Sequence, residues 1–131
     1  MDDLYPSRNI CCKVYPNGYN KTQVNWSNCM NTVLRSDRFN TWLANLRDGK
    51  AKARIIVRIE RAEQGNFGDC QPVGEGVSEM RVDVGAGYRV YFVRIGLVTY
   101  FLLCGGDKGS QQRDIEQAKQ MAQQLEDTNH D

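Results

Sequence analysis

The stretch "VSEMRVDVGAGYRVYFVRIGLVTYFLLC", Val77 to Cys104, strings together three runs rich in β-branched and aromatic residues, separated by Gly85-Ala86-Gly87 and by Ile95-Gly96-Leu97. Runs of that composition between short glycine turns predict an antiparallel meander. If Gly85-Ala86-Gly87 closes a three-residue loop, Val84 faces Tyr88, Asp83 faces Arg89, Arg81 faces Tyr91 and Glu79 faces Val93, because antiparallel partners keep a constant sum of positions. The alternation then sorts two faces. Met80, Val82, Val84, Tyr88, Val90 and Phe92 form a core side. Glu79, Arg81, Asp83, Arg89 and Tyr91 gather on the other, where chemistry could be carried out. The third run, "VTYFLLC", is apolar on both faces, as for a strand covered twice, and its spacing leaves the parity of its pairing open.

Upstream, "NTVLRS" alternates like a short strand, and Ser36 offers an N-cap to a helix with Phe39, Trp42, Leu43 and Leu46 on one face. Asp48-Gly49 breaks that helix. "KAKARIIVRIERAEQG" restarts it with Ile55, Ile56, Ile59 and Ala62 on one side, before Gly65 ends it. "NFGDCQPVGEG" reads as a loop. Downstream, "CGGDKGSQQRDI" ends the third run and opens a last helix near Ser110, with Ile115, Ala118, Ala122 and Leu125 as its buried stripe. The expected class is α+β in the order β-α-α-β-β-β-α, with an N-terminal strand and a helical hairpin packed on a small antiparallel sheet.

Composition bounds what such a domain can do. The 131 residues, 40% of them hydrophobic, suit a single domain. A net charge of +1 gives no bulk attraction for nucleic acid, so any such role rests on a local patch. The five cysteines form no CxxC pair, and the one histidine, His130, lies in the polar tail, so no metal and no cofactor is expected. No run approaches a membrane span, and no basic head precedes an apolar stretch, which reads as a cytoplasmic protein with free thiols. Residues 1–29 are rich in Asn, Pro and Gly without sustained periodicity. They are expected to be an extension outside the functional domain, which then spans 30–127 with a tail at 128–131.

Two groups of cations stand out. Lys50, Arg54, Arg58 and Arg61 recur at i, i+4, i+8 and i+11 and so share one helix edge; a solvated face explains them at least as well as contact with RNA. Arg81, Arg89 and Lys108 converge at one end of the expected sheet, where the first turn of the last helix should offer unpaired N–H groups to a phosphate. Three cations there could stabilise the charge of a pentacovalent phosphorus, although an Asp83–Arg89 salt bridge and a solvated Lys108 would account for the same residues.

The arrangement of "GNFGD", "GYRVYF" and "GGDK", in this order across Phe39 to about Leu125, resembles the RelE/ParE superfamily of toxins from type II toxin–antitoxin modules, and specifically the HigB-like addiction-module killer proteins. The resemblance implies an mRNA interferase that cuts messages in the ribosomal A site. It also implies silencing by a helix-turn-helix antitoxin, through which alone the protein would meet operator DNA. Such catalysis is metal-independent: the ribose 2'-OH attacks the adjacent phosphorus while Arg89, Arg81 and Lys108 hold the phosphate. Glu79, Asp107 or Lys108 would accept the proton, and Tyr91 could stack on a base. RelE-type enzymes carry a tyrosine at the start of the last helix, where this sequence reads Gln111, Gln112, Arg113. Two alternatives share the fold: a ParE-like gyrase inhibitor, and an inactive module that only binds its antitoxin.

Overall fold

Ser36 marks the first change from strand to helix. Its hydroxyl accepts the Phe39 N–H at 2.9 Å and donates to the Leu103 carbonyl at 2.6 Å. One buried hydroxyl therefore caps a helix and fastens it to the strand beneath. The computed structural model describes residues 30–129, so the expectation for residues 1–29 lies outside the described residues. β1 (Thr32–Arg35) leads into α1 (Asp37–Ala44), which buries Phe39 and Leu43. Asp48 then caps α2 (Gly49–Glu63) by accepting from Lys50 and Ala51 N–H, both at 3.1 Å. This helix buries Ala51, Ile55, Ile59 and Ala62, one stripe at helical spacing.

The remaining strands are β2 (Cys70–Gly74), β3 (Val77–Val82), β4 (Tyr88–Arg94) and β5 (Thr99–Asp107). They complete a five-stranded sheet in the order β1-β5-β4-β3-β2. The sheet is mixed, since β1 runs parallel to β5 while the other pairs are antiparallel. A 3-10 turn (Lys108–Ser110) leads into α3 (Gln111–Asn129). α1 and α2 cover one face of the sheet around Met80, Val90, Phe92 and Leu102, and α3 covers the other around Val77, Tyr91 and Leu103. β5 is thus covered twice, which accounts for its apolar residues on both faces.

Three local features correct the reading from sequence. The segment read as a loop contains β2. Gly74, Glu75 and Gly76 all take positive φ (112°, 56° and 82°), which folds the chain sharply back onto β3. β2 tolerates Pro72 because it is an edge strand with a register shift between Pro72 and Gly74. The β3–β4 register also differs: Val82 faces Tyr88, Arg81 faces Arg89 and Glu79 faces Tyr91. Asp83 and Val84 leave the ladder and join the turn, where the Gly87 N–H donates to the Val84 carbonyl at 2.9 Å. The displacement is by an even number of residues, so every side chain keeps its face. Finally, Tyr91 pairs with Cys104 and Phe92 with Leu102, which leaves Leu103 as an extra residue in β5. This bulge reverses the strand's parity and settles what the spacing left open.

Beyond the bulge, Gly105 turns toward α1 and Gly106 toward α3. A Cβ on Gly105 would lie 2.4 Å from the Trp42 ring, whereas a Cβ on Gly49 would have nothing within 4 Å. Gly105→Ala should therefore cost about 1–3 kcal/mol through overpacking. Gly49→Ala should leave stability unchanged or slightly raised. Thermal denaturation of the two variants checks this contrast, and equal melting temperatures would contradict it.

Candidate active site

Cross-strand pairing decides which side chains meet on the face opposite the helical hairpin. One row runs Arg81, Arg89, Gly106 across β3, β4 and β5; the next runs Gln71, Glu79, Tyr91, Cys104 from β2 to β5. The first row lies one pair in from the end of the ladder at Val82, Tyr88 and Asp107, near the 3-10 turn. The second row is interior, and its centre is a carboxylate.

Glu79 is 0% exposed. A buried carboxylate is tolerated only when it is paired and hydrogen-bonded, and among the described residues this one has three hydrogen-bond donors and one cation. Oε1 accepts from Gln71 Nε2 at 3.3 Å and forms an ion pair with Arg89 Nη1, also at 3.3 Å; Oε2 accepts from the Tyr91 hydroxyl at 3.2 Å and Gln111 Nε2 at 2.9 Å. The Tyr91 hydroxyl is held protonated well above the usual phenol range by burial and then by the neighbouring Glu79 charge, so it remains a donor. Tyr91 is itself fully buried, so it presents no ring face to a base. The Glu79 carboxylate is thus shut off from solvent.

Arg89 is thus paired with Glu79, where the sequence suggested Asp83. Arg81 pairs with Asp69 instead, Nη2 to Oδ1 at 3.1 Å, at a more open position with side-chain exposures of 39% and 59%. Both arginines keep a buried Nε donor without a hydrogen-bond partner among the described residues. Asp69 and the loop bearing it are fixed by Arg58, which donates to the carbonyls of Arg81 and Phe67. Burial lowers the Arg58 pKa while the Asp69 charge opposes the shift. Arg58 is accordingly part of the scaffold, whereas Lys50, Arg54 and Arg61 stay exposed on α2.

At the end of β5, Asp107 Oδ1 accepts the N–H groups of Gly109 at 2.9 Å and Ser110 at 3.1 Å. The donors expected to be free for a phosphate are therefore already taken by the chain's own cap. Lys108 is exposed beside them, its backbone N–H bonded to the Gly87 carbonyl at 3.0 Å, so Arg81, Arg89 and Lys108 do share one end of the sheet. Two of the three charged heads, however, turn toward carboxylates. The sequence reading missed Asp69, Gln71 and Gln111. Gln71 could have been found had the Gly74-Glu75-Gly76 turn been recognised as a hairpin. Among the described residues, no three His, Cys, Asp or Glu side chains group to hold a metal.

Cys104, in the same row as Glu79, has its thiol pushed up to about 12 from 9.0 by burial and then by the Asp114 charge. A raised folded-state pKa means that this contribution to stability is intact below about pH 9 and is lost as pH rises toward 12. Melting temperature should fall across that window, and Cys104→Ala should flatten the fall. An identical alkaline slope in the variant would contradict the assignment.

No protein-family model matches the chain. Its backbone superposes on a free-state structure of a double mutant of the E. coli toxin RelE with a TM-score of 0.56 at 12% identity, covering 70% of this chain and 97% of that one. The architecture is thus RelE-like: an α+β fold with a mixed five-stranded sheet. In sequence it is 51% identical over 87 residues to an uncharacterized protein of Haemophilus influenzae, covering 66% of this chain and 88% of that protein. The described residues contain no helix long and apolar enough to cross a membrane. The chain belongs to the same family as that Haemophilus influenzae protein.

Proposed function

We propose that this protein is the toxin of a toxin–antitoxin pair and that it cuts messenger RNA in the ribosomal A site without a metal ion. The observation that carries this reading is Arg81 and Arg89 directly opposite one another at the open end of the sheet, each with an unanswered Nε donor. A buried donor without an acceptor costs about 1–3 kcal/mol, and native proteins hold few of them. A phosphodiester seated between the two strands supplies the missing oxygens. The RelE-like fold supports the same reading.

The two arginines play unequal parts. Arg89 is 13% exposed and locked on a carboxylate that is 0% exposed, so it is the fixed half of the site. The Arg81–Asp69 pair is exposed, and such pairs are worth at most about 1 kcal/mol. A phosphate can displace Asp69 at little cost. With the phosphate held, the 2'-oxygen attacks phosphorus and the bond to the 5'-oxygen breaks, giving a 2',3'-cyclic phosphate and a 5'-hydroxyl. The 2'-OH proton passes to the exposed Asp107 carboxylate, and Lys108 gives a proton to the departing 5'-oxygen. The arginines stabilise the charge that develops on the non-bridging oxygens. Lys50, Arg54 and Arg61 supply salt-sensitive contacts to the RNA backbone. A helix-turn-helix antitoxin would cover the same end of the sheet and would alone connect the protein to operator DNA.

Induced expression with mapping of message ends tests the proposal. Wild type should arrest growth and leave cuts in translated messages, and Arg89→Ala and Arg81→Ala should each reduce cleavage about a hundredfold or more. The Arg81 change affects an exposed pair and should leave folding intact. Undiminished toxicity in both variants, or a DNA-damage response without message cleavage, would overturn the proposal; the latter would indicate gyrase as the target. Asp69→Asn should tighten binding of a single-stranded RNA oligonucleotide by up to about fivefold, the equivalent of one lost exposed ion pair. Weaker binding would show that Asp69 orients Arg81 and does not compete with the phosphate.

A further inference from the structure

Resting on the nuclease reading above, we infer that Glu79 is a positioning residue: it fixes the guanidinium of Arg89 from behind and does not take part in proton transfer. The distribution of its contacts carries this inference. Its partners come from β2 (Gln71), β4 (Arg89 and Tyr91) and α3 (Gln111), while Glu79 itself belongs to β3. The three hydrogen-bond donors, Gln71, Tyr91 and Gln111, are neutral. They orient the carboxylate without competing for its charge, so among the described residues the one cation that the charge serves is Arg89.

Geometry then limits what Arg89 can do. Its Nη1 forms an ion pair with Glu79 Oε1 at 3.3 Å, and that oxygen also accepts a hydrogen bond from Gln71 across the β2–β3 ladder. A planar guanidinium drawn by one end against a fixed carboxylate on a 13% exposed side chain has the range of its remaining N–H directions restricted. Among the described residues, Arg89 Nε has no acceptor. The nitrogens not paired with Glu79 are therefore the ones that meet the phosphate, and their direction is restricted before substrate arrives. Preorganisation of this kind lowers the barrier because no reorientation is needed as charge develops. Tyr91 and Gln111 act on Arg89 one step further back, through Oε2. Gln111, at the start of the last helix, thereby ties α3 to the carboxylate that steers the arginine.

Single-turnover cleavage of an RNA oligonucleotide on programmed ribosomes tests this with Glu79→Gln, which keeps shape and loses charge. Glu79→Gln should lower the maximal rate by about a hundredfold, the usual cost of a misplaced catalytic group, with half-saturation changed less than about threefold. The penalty should vanish in an Arg89→Gln background, because Glu79 acts only through Arg89. Gln111→Leu, a milder change that retains the ion pair, should show a smaller loss with the same dependence on Arg89. An equal loss in both backgrounds, or an altered pH profile with Arg89 intact, would overturn the inference. Side-chain NMR of the substrate-free protein separates this inference from the nuclease proposal. The Arg89 Nε–H resonance should be sharp in wild type and broadened in Glu79→Gln whether or not RNA is cut. A wild type that cleaves nothing yet shows this broadening would retire the nuclease reading alone, and a resonance unaffected by the substitution would retire the positioning role.

Discussion

A carboxylate that water cannot reach governs this end of the molecule. Moving a carboxylate out of water costs several kcal/mol even after relaxation, and the cost is recovered only with a close counter-charge and further hydrogen bonds. Glu79 has Arg89 on β4 as its ion-pair partner and hydrogen bonds from Gln71 on β2, Tyr91 on β4 and Gln111 on α3. Together these contacts require three elements to dock in one register. The hairpin turn at Gly74-Glu75-Gly76 has to place Gln71, and the start of α3 has to place Gln111. The pairing of β3 with β4 has to place Arg89 and Tyr91. Specificity of docking, more than net stability, is what such a buried polar hub contributes.

Under the proposed function, the same constraint explains how a nearly neutral chain would present an anion site. With a net charge of +1, the protein has little long-range field to draw in RNA. Locally, each arginine of the pair is balanced by a carboxylate, so the site carries little excess charge in the free protein. One balance is buried and permanent, at Glu79; the other is exposed and exchangeable, at Asp69. An incoming phosphate need compete only with the weaker partner. Lys50, Arg54 and Arg61 line one exposed edge of α2 and add positive charge outside the paired centre.

Much of this was legible in the sequence, and what was hidden has physical reasons. Ser36 and the apolar spacing after it predict α1 because a cap and a stripe are local signals. The two faces of β3 and β4 were read correctly although the register was displaced, since an even displacement preserves them. β2 was obscured by Pro72, Gly74 and Gly76, residues that argue against a central strand but are allowed at an edge. The bulge at Leu103 could not be seen in a run that is apolar on both sides, because no alternation exists there to be interrupted. The burial of Glu79 depends on Gln71 and Gln111, which are far apart in sequence and individually resemble solvated polar residues. Arg58 looks like its helical neighbours in the pattern, yet only it reaches the carbonyls of Phe67 and Arg81.

The central claim is that Arg81 and Arg89 close on a single phosphate. Titration with an RNA oligonucleotide carrying a 2'-deoxy substitution at the scissile position, followed through the Nε–H resonances of both arginines, measures it directly. The account predicts that both resonances move together with one dissociation constant, and that the Arg81 shift is accompanied by release of Asp69. Movement of one arginine without the other, or two separate affinities, would contradict it.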